Sequence, residues 1–209
     1  IFDYGPGMEY NDFSTYTLFN DEPWTYTNGP EIGNWDGSYQ GLITLRQALS
    51  VSRNIPALKA FQQVDKKNIV TFVNNLGLDV AYSTKSENYK KDEKTGADNV
   101  INEAYSIGGM AYGVTPLDMA EAYASFANGG YHIETHAVTK IEYRSTGETV
   151  DFSEEKKKVM SDSTAYLMNN VLKYAVDYGF NGGAKVAGST VAAKTGTSNL
   201  SEATTKALG

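Results

Sequence analysis

Ile43-Thr44-Leu45-Arg46-Gln47-Ala48-Leu49-Ser50-Val51-Ser52-Arg53-Asn54-Ile55-Pro56-Ala57 is the stretch from which the fold can be read. Thr44 followed three residues later by Gln47 fits a capping box, and Leu45, Ala48 and Leu49 then share one helical face. A helix is expected to start there. Pro56 cannot continue it, because the ring fixes φ and removes a donor, yet proline suits the first turn of a new helix. Ile55-Pro56 is therefore expected to open a second helix with Leu58, Phe61 and Val64 inward, and the break falls on Ser52-Arg53-Asn54.

Upstream, the first 41 residues are rich in Tyr, Asn, Asp and Gly and weakly periodic, so loop with local structure is expected, apart from a short helix near Ile1 to Tyr10. Downstream, Lys66 to Leu76 reads as a helix with Ile69, Val70, Val73 and Leu76 apolar and Gly77 as its cap. Residues 79–98 carry a run of charges and read as a solvated loop. Thr115-Pro116-Leu117-Asp118 sets a cap, a first-turn proline and an acidic third residue ahead of Ala120, Tyr123, Ala124 and Ala127, and Asn128-Gly129-Gly130 ends that helix. Val138 to Tyr143 and Glu148 to Phe152 alternate around Thr146-Gly147 as a hairpin should, Ser161-Asp162 opens a further helix, and Thr190 to Thr197 reads as a short strand. Helices followed by late strands imply an α+β or mixed α/β domain.

Composition excludes several chemistries. Acidic side chains number 25 and basic ones 18 among 209 residues, giving −7, which argues against a nucleic-acid surface because phosphate contacts need clustered cations. With no cysteine, a thiol nucleophile, a disulfide framework and a Cys-ligated metal are ruled out. No stretch approaches the roughly 18 apolar residues of a membrane helix, and no signal peptide opens the chain. Because the first residue is Ile1 and Lys206-Ala207-Leu208-Gly209 carries no closing signal, the chain is read as part of something longer.

A Ser-His-Asp hydrolase would need a Gly-x-Ser-x-Gly elbow, which is nowhere in the sequence. His132 and His136 are four apart, but in a β-branched run rather than on a helix, so no metal is expected there, and nothing calls for a cofactor. Gly188 to Thr195 nearly spells a phosphate loop, yet Ala193 replaces the glycine that lets backbone amides approach a phosphate. Lys194-Thr195-Gly196-Thr197 instead offers a cation, two hydroxyls and a glycine at a strand edge, where an anion can bind; a plain surface strand is the alternative. Ser52-Arg53-Asn54, at its helix break, can point polar side chains into a cleft. The one Ser-x-x-Lys, Ser153-Glu154-Glu155-Lys156, lies among Glu155, Lys157 and Lys158, which keep its lysine solvated and charged, whereas a lysine base needs a depressed pKa.

Taken together, Ser52-Arg53-Asn54 and Lys194-Thr195-Gly196-Thr197 resemble, in order, the second and third motifs of the penicillin-recognising serine transpeptidases. Ile43 to Leu49, Ser52 to Ala57, Gly108-Gly109 with Gly113-Val114-Thr115-Pro116-Leu117, and Ala127-Asn128-Gly129-Gly130 are similar to class A bifunctional penicillin-binding proteins, and Asn34-Trp35-Asp36 to their Gram-positive branch. The resemblance covers nearly the whole chain. It implies a transpeptidase fold of helices packed on an antiparallel sheet, with residues 1–209 forming part of that domain. The family's Ser-x-x-Lys-Pro motif, which carries the acylated serine, is expected immediately before Ile1, and the last strands beyond the Lys-Thr-Gly segment. Ala193 departs from the family's usual glycine, which touches close packing more than chemistry.

By position, the resemblance implies that Ser52 relays protons to the leaving amine, that Asn54 holds the substrate amide and the catalytic lysine, and that Lys194 keeps the site electropositive. Thr195 and Thr197 would bind the terminal carboxylate, with Gly196 between them, and the Thr197 N–H would supply half of an oxyanion hole. The implied partners are peptidoglycan stem peptides, lipid-linked glycan strands and β-lactams, without nucleic acid, at the extracytoplasmic face of a membrane reached only through a parent segment. A β-lactamase-type hydrolase and a non-catalytic β-lactam-sensing or structural module of the same fold are the alternatives.

Overall fold

A computed structural model describes residues 1–152 and 155–197; Ser153 and Glu154 of the Ser-x-x-Lys tetrad, and the closing residues 198–209, lie outside the described residues. In chain order the elements are α1 (Tyr4–Tyr10), β1 (Leu18–Asp21), β2 (Trp24–Thr25), β3 (Glu31–Ile32), β4 (Gly41–Thr44), α2 (Leu45–Ser50), α3 (Asn54–Gln63) and α4 (Lys66–Asn75). After a 3₁₀ turn at Glu103–Ile107 come α5 (Pro116–Ala127), β5 (Tyr131–Ile133), β6 (Lys140–Glu142), β7 (Thr149–Asp151), β8 (Lys156–Lys158) and α6 (Asp162–Tyr178), then a 3₁₀ turn at Gly182–Ala184. The expected mixture of helices and antiparallel strands is present.

Among the described residues no sheet exceeds two strands. The strands pair antiparallel as four two-stranded ribbons, β1 with β4, β2 with β3, β5 with β8, and the anticipated hairpin of β6 with β7. Residues 190–197 form no strand. A strand exists only where a ladder partner takes its backbone groups, and here the Ala193 N–H donates to the Leu172 carbonyl at 3.4 Å and the Thr195 N–H to a side chain. The first 41 residues are more ordered than their composition suggests, since they supply α1 and three strands and reach the start of β4.

Local chemistry accounts for the helices. The Thr44 hydroxyl accepts the Gln47 N–H while the Gln47 side chain accepts the Thr44 N–H, closing the capping box on α2. Thr115 and Asp118 do the same for α5, with Pro116 in its first turn. Ser161 caps α6, and Glu9 at the end of α1 accepts both the N–H and the hydroxyl of Ser161. Along α6 the buried residues Ala165, Met168, Val171, Leu172, Ala175 and Val176 recur every three or four positions, the spacing that turns one helical face to a core.

That core gathers Leu45 of α2, Phe61 of α3, Phe72 of α4, Phe126 of α5 and Val171 of α6, each almost fully buried. Burying one such side chain is worth about 1.5–3 kcal/mol. Leu58, Phe61 and Val64 face inward as their spacing predicts. Two close approaches fix the geometry around it. The Phe13 ring lies where a Cβ on Gly7 would stand, 2.1 Å away, so α1 admits no side chain there. After α6, a Cβ on Gly179 would stand 2.2 Å from the Ser50 carbonyl oxygen, so the chain leaving α6 packs its bare backbone on the end of α2.

Candidate active site

Helix α2 ends in a Schellman turn. The Ser52 N–H donates to Leu49 O at 3.1 Å and the Arg53 N–H to Ala48 O at 2.9 Å, the paired bonds that use up the last carbonyls of a helix. The residue between them must be left-handed, and Ser52 has φ +54°. Glycine is the usual occupant, so a serine there holds a hydroxyl in place at the expense of backbone strain. Ser52→Gly is accordingly expected to be more stable than Ser52→Ala by about 1 kcal/mol, because both lack the hydroxyl and only alanine keeps the Cβ penalty. Urea denaturation of the two variants checks this, and equal stabilities would contradict the left-handed turn.

A buried polar network holds the turn from below. Arg53 Nε donates to Asp21 Oδ2 at 2.8 Å, and neither side chain has any solvent exposure. Its other nitrogens reach Asp36 Oδ2 at 2.9 Å and the Ser38 carbonyl. Asn34 donates to Asp21 Oδ1 at 2.7 Å, while its own carbonyl accepts the Asn54 N–H at 2.9 Å. The Asp36 carboxyl is held down to about 2, first by the Ser38 N–H and hydroxyl and then by Arg53. Trp35 donates its indole N–H to Val51 O at 3.2 Å and meets Phe180 edge to face at 5.3 Å. Residues 33–38 thus form a cradle under Ser52-Arg53-Asn54.

Across from the turn lies Lys194. Its Nζ donates to Ser52 Oγ at 3.0 Å and to the Thr195 carbonyl at 2.8 Å, bringing together residues 142 apart in sequence. Partial burial pushes the Lys194 amine below the usual 10.5, against the opposing pull of the Asp3 carboxylate. A half-buried ammonium beside a hydroxyl can hold an anionic group and shorten the path of a proton between them.

Of the residues the sequence singles out, Ser52 and Lys194 meet. Asn54 stands at the first position of α3 rather than on the loop, and its side-chain amide donates to Gly33 O at 2.9 Å. Thr195, Gly196 and Thr197 follow Lys194 as exposed residues. The Thr195 N–H donates to Asn181 Oδ1 at 2.6 Å. His132 lies in β5 with Nδ1 3.4 Å from Ser125 Oγ, and His136 is exposed beside the Glu134 carbonyl. Lys156 of the Ser-x-x-Lys tetrad is exposed in β8, as a solvated lysine should be. Sequence reading missed Asp21 and Asn181, and marked Asn34 only within Asn34-Trp35-Asp36, without its place under the turn. Asp21 stands in a stretch without periodicity, and Asn181 between Gly179 and Gly182 reads as ordinary turn chemistry.

Comparison with known proteins gives a consistent picture. Residues 1–207 match a family described as the penicillin binding protein transpeptidase domain. The chain is 45% identical over 204 residues to penicillin-binding protein 1A/1B of Bacillus subtilis, covering 97% of this chain and 20% of that protein. It is 37% identical over 205 residues to penicillin-binding protein 1A of Streptococcus pneumoniae, covering 97% and 27%. The chain therefore spans only a fifth to about a quarter of the length of these relatives. In fold it is similar to penicillin-binding protein A from M. tuberculosis in its imipenem acyl-enzyme complex, with a TM-score of 0.73 at 16% identity over 92% of this chain and 45% of that one. It is also similar to penicillin-binding protein 1A from Haemophilus influenzae, with a TM-score of 0.67 at 21% identity over 85% and 29%.

Proposed function

The chain belongs to the penicillin-binding protein transpeptidase domain family, and from that premise we propose that residues 1–209 are part of a peptidoglycan D,D-transpeptidase domain, working through a serine acyl-enzyme. The observation that carries the reading is the 3.0 Å contact of Lys194 Nζ with Ser52 Oγ, which joins the two motifs on either side of one site.

In this reading the nucleophile is a serine of a Ser-x-x-Lys segment preceding Ile1. Its hydroxyl adds to the penultimate D-Ala carbonyl of a stem peptide, the lysine of that segment takes the proton, and the C–N bond to the terminal D-Ala breaks. Ser52 passes a proton to the departing amine. An amine of a neighbouring stem peptide then attacks the ester and restores the serine. Lys194, Thr195 and Thr197 hold the terminal carboxylate, Gly196 lets substrate come close to the backbone, and the Thr197 N–H faces the developing oxyanion. Asn54, whose amide already grips the Gly33 carbonyl, has an oxygen without a partner among the described residues, which in this reading faces the substrate amide or the catalytic lysine. β-Lactams enter as mimics of the same substrate. The partners are stem peptides on lipid-linked glycan strands at the extracytoplasmic membrane face. Among the described residues no helix is long and apolar enough to cross a membrane, so in this reading the anchor belongs to a parent segment.

The test compares two proteins. The 209 residues alone are expected to form no covalent adduct with a fluorescent penicillin, whereas the chain extended through the Ser-x-x-Lys segment is expected to keep a label after denaturing electrophoresis. In the extended protein Thr197→Val should slow acylation by about 10- to 150-fold, the range set by a hydrogen bond to a charged group. A β-lactam analogue whose carboxylate is a neutral amide should show a smaller penalty. No labelling of the extended protein, or equal penalties for acid and amide, would refute the assignment.

A further inference from the structure

The elbow Gly179-Phe180-Asn181 touches both halves of the site. On one side Gly179 packs on the Ser50 carbonyl, and the Phe180 N–H donates to that same oxygen at 3.0 Å, two residues before Ser52. On the other side Asn181, only 2% exposed, accepts the Thr195 N–H at 2.6 Å. Asn181 is itself anchored, since its backbone N–H donates to Ala175 O at 3.2 Å and its amide reaches that oxygen at 3.5 Å. Residues 190–197 form no strand, so this bond stands where a ladder would otherwise hold the backbone.

We propose that Asn181 is a positioning residue for the Ser52–Lys194 contact: its buried side-chain carbonyl holds the Thr195 N–H and thereby fixes where the Lys194 to Thr197 backbone lies. Both site halves are then referenced to one three-residue elbow rather than to each other. A shift of Thr195 would move the Lys194 Cα directly and lengthen the 3.0 Å contact. The bland role for Asn181 is to terminate α6, which its backbone N–H to Ala175 already does without its side chain. The catalytic meaning of the positioning rests on the transpeptidase reading; the geometry does not, and the test is chosen accordingly.

In the 209-residue protein, NMR is expected to detect a scalar coupling across the hydrogen bond between the Thr195 amide nitrogen and the Asn181 side-chain carbonyl carbon. Asn181→Ala should speed exchange of the Thr195 amide by about 5- to 10-fold, the size of one ordinary hydrogen bond, with the Val171 and Leu172 amides unchanged. Asn181→Asp, which keeps an acceptor, should stay near wild type. The Lys194 amine, observed by its own ¹⁵Nζ signal, should titrate closer to 10.5 in Asn181→Ala because it gains water. Absence of the coupling in the wild type would overturn the proposal, whatever the variants do. So would an Asn181→Ala protein whose Thr195 exchange and Lys194 titration match wild type. None of these readouts needs a nucleophile, so failure of penicillin labelling in the extended protein would remove the transpeptidase reading while leaving this one decided separately.

Discussion

Arg53→Ala is expected to lower the stability of the folded chain by about 3–5 kcal/mol, the cost of leaving a buried charge without its partner. For a domain of this size that corresponds to a fall in melting temperature of about 6–20 °C. The reason is Asp21, whose side chain has no exposure and whose Oδ2 meets Arg53 Nε at 2.8 Å. Once the guanidinium is gone, Asp21 keeps the Asn34 amide and the Gln40 N–H but no cation. Arg53→Lys should fail to rescue, because a single ammonium cannot serve Asp21, Asp36 and Ser38 from one fork. Asp21→Asn in the Arg53→Ala background should recover part of the loss, since it removes the orphaned charge. Thermal and urea unfolding of wild type, Arg53→Ala, Asp21→Asn and the double variant close the cycle. A single-variant loss under about 1 kcal/mol, the level of a surface ion pair, would mean the network is solvated.

Lys194→Met in the protein extended through its Ser-x-x-Lys segment should slow penicillin acylation by about 100- to 1,000-fold, the loss typical of one preorganised electrostatic partner. Because partial burial lowers the Lys194 amine below 10.5, wild-type acylation should decline on the alkaline side before an ordinary lysine would deprotonate. Lys194→Arg stays charged and should lose that limb, whatever its absolute rate. The linkage to stability has a definite sign. Between the lowered folded value and 10.5 the unfolded chain binds more protons at Lys194 than the folded one, so this residue's contribution to stability rises with pH across that window. Rates over pH 6 to about 11 for the three proteins decide the matter, with a limb shared by Lys194→Arg assigning it elsewhere.

Helices whose caps lie in their own sequence were readable in advance. Thr44 with Gln47, and Thr115 with Pro116 and Asp118, hold their partners within three residues, so pattern and structure coincide. Strand β1 shows the opposite case. Its inward positions are Phe19 and Asp21, and a buried aspartate breaks the apolar alternation by which strands are recognised. The compensating cation is Arg53, 32 residues away, and no local window contains both. The 190–197 segment failed for a related reason: β-prone residues make a strand only beside a partner, and the Thr195 N–H goes to Asn181 instead. At the site, the motif letters point to Ser52 and Lys194, and a 3.0 Å contact joins the two side chains. Of the residues that hold those letters in place, Asp21 and Asn181 carry no letter pattern, and Asn34 shows only within Asn34-Trp35-Asp36 without its role, because their partners are backbone groups and distant side chains.

The Schellman turn at Ser52 closes within six residues, whereas the bond from Lys194 to Ser52 closes a loop of 142. The two halves of the site therefore have different histories and different vulnerabilities. The Ser52 turn can form as soon as α2 does, and its own bonds, all within residues 48–53, do not need the chain beyond α6. The Lys194 half exists only once the distant segment has docked, and it is the part a protease would reach during such an opening. Any molecule that grips both halves at once acts as a staple across this long loop: at a free concentration 100 times its Kd it would disfavour the opening by about 2.7 kcal/mol. Resistance to limited proteolysis beyond Tyr178 would then report occupancy of the site without any chemistry taking place.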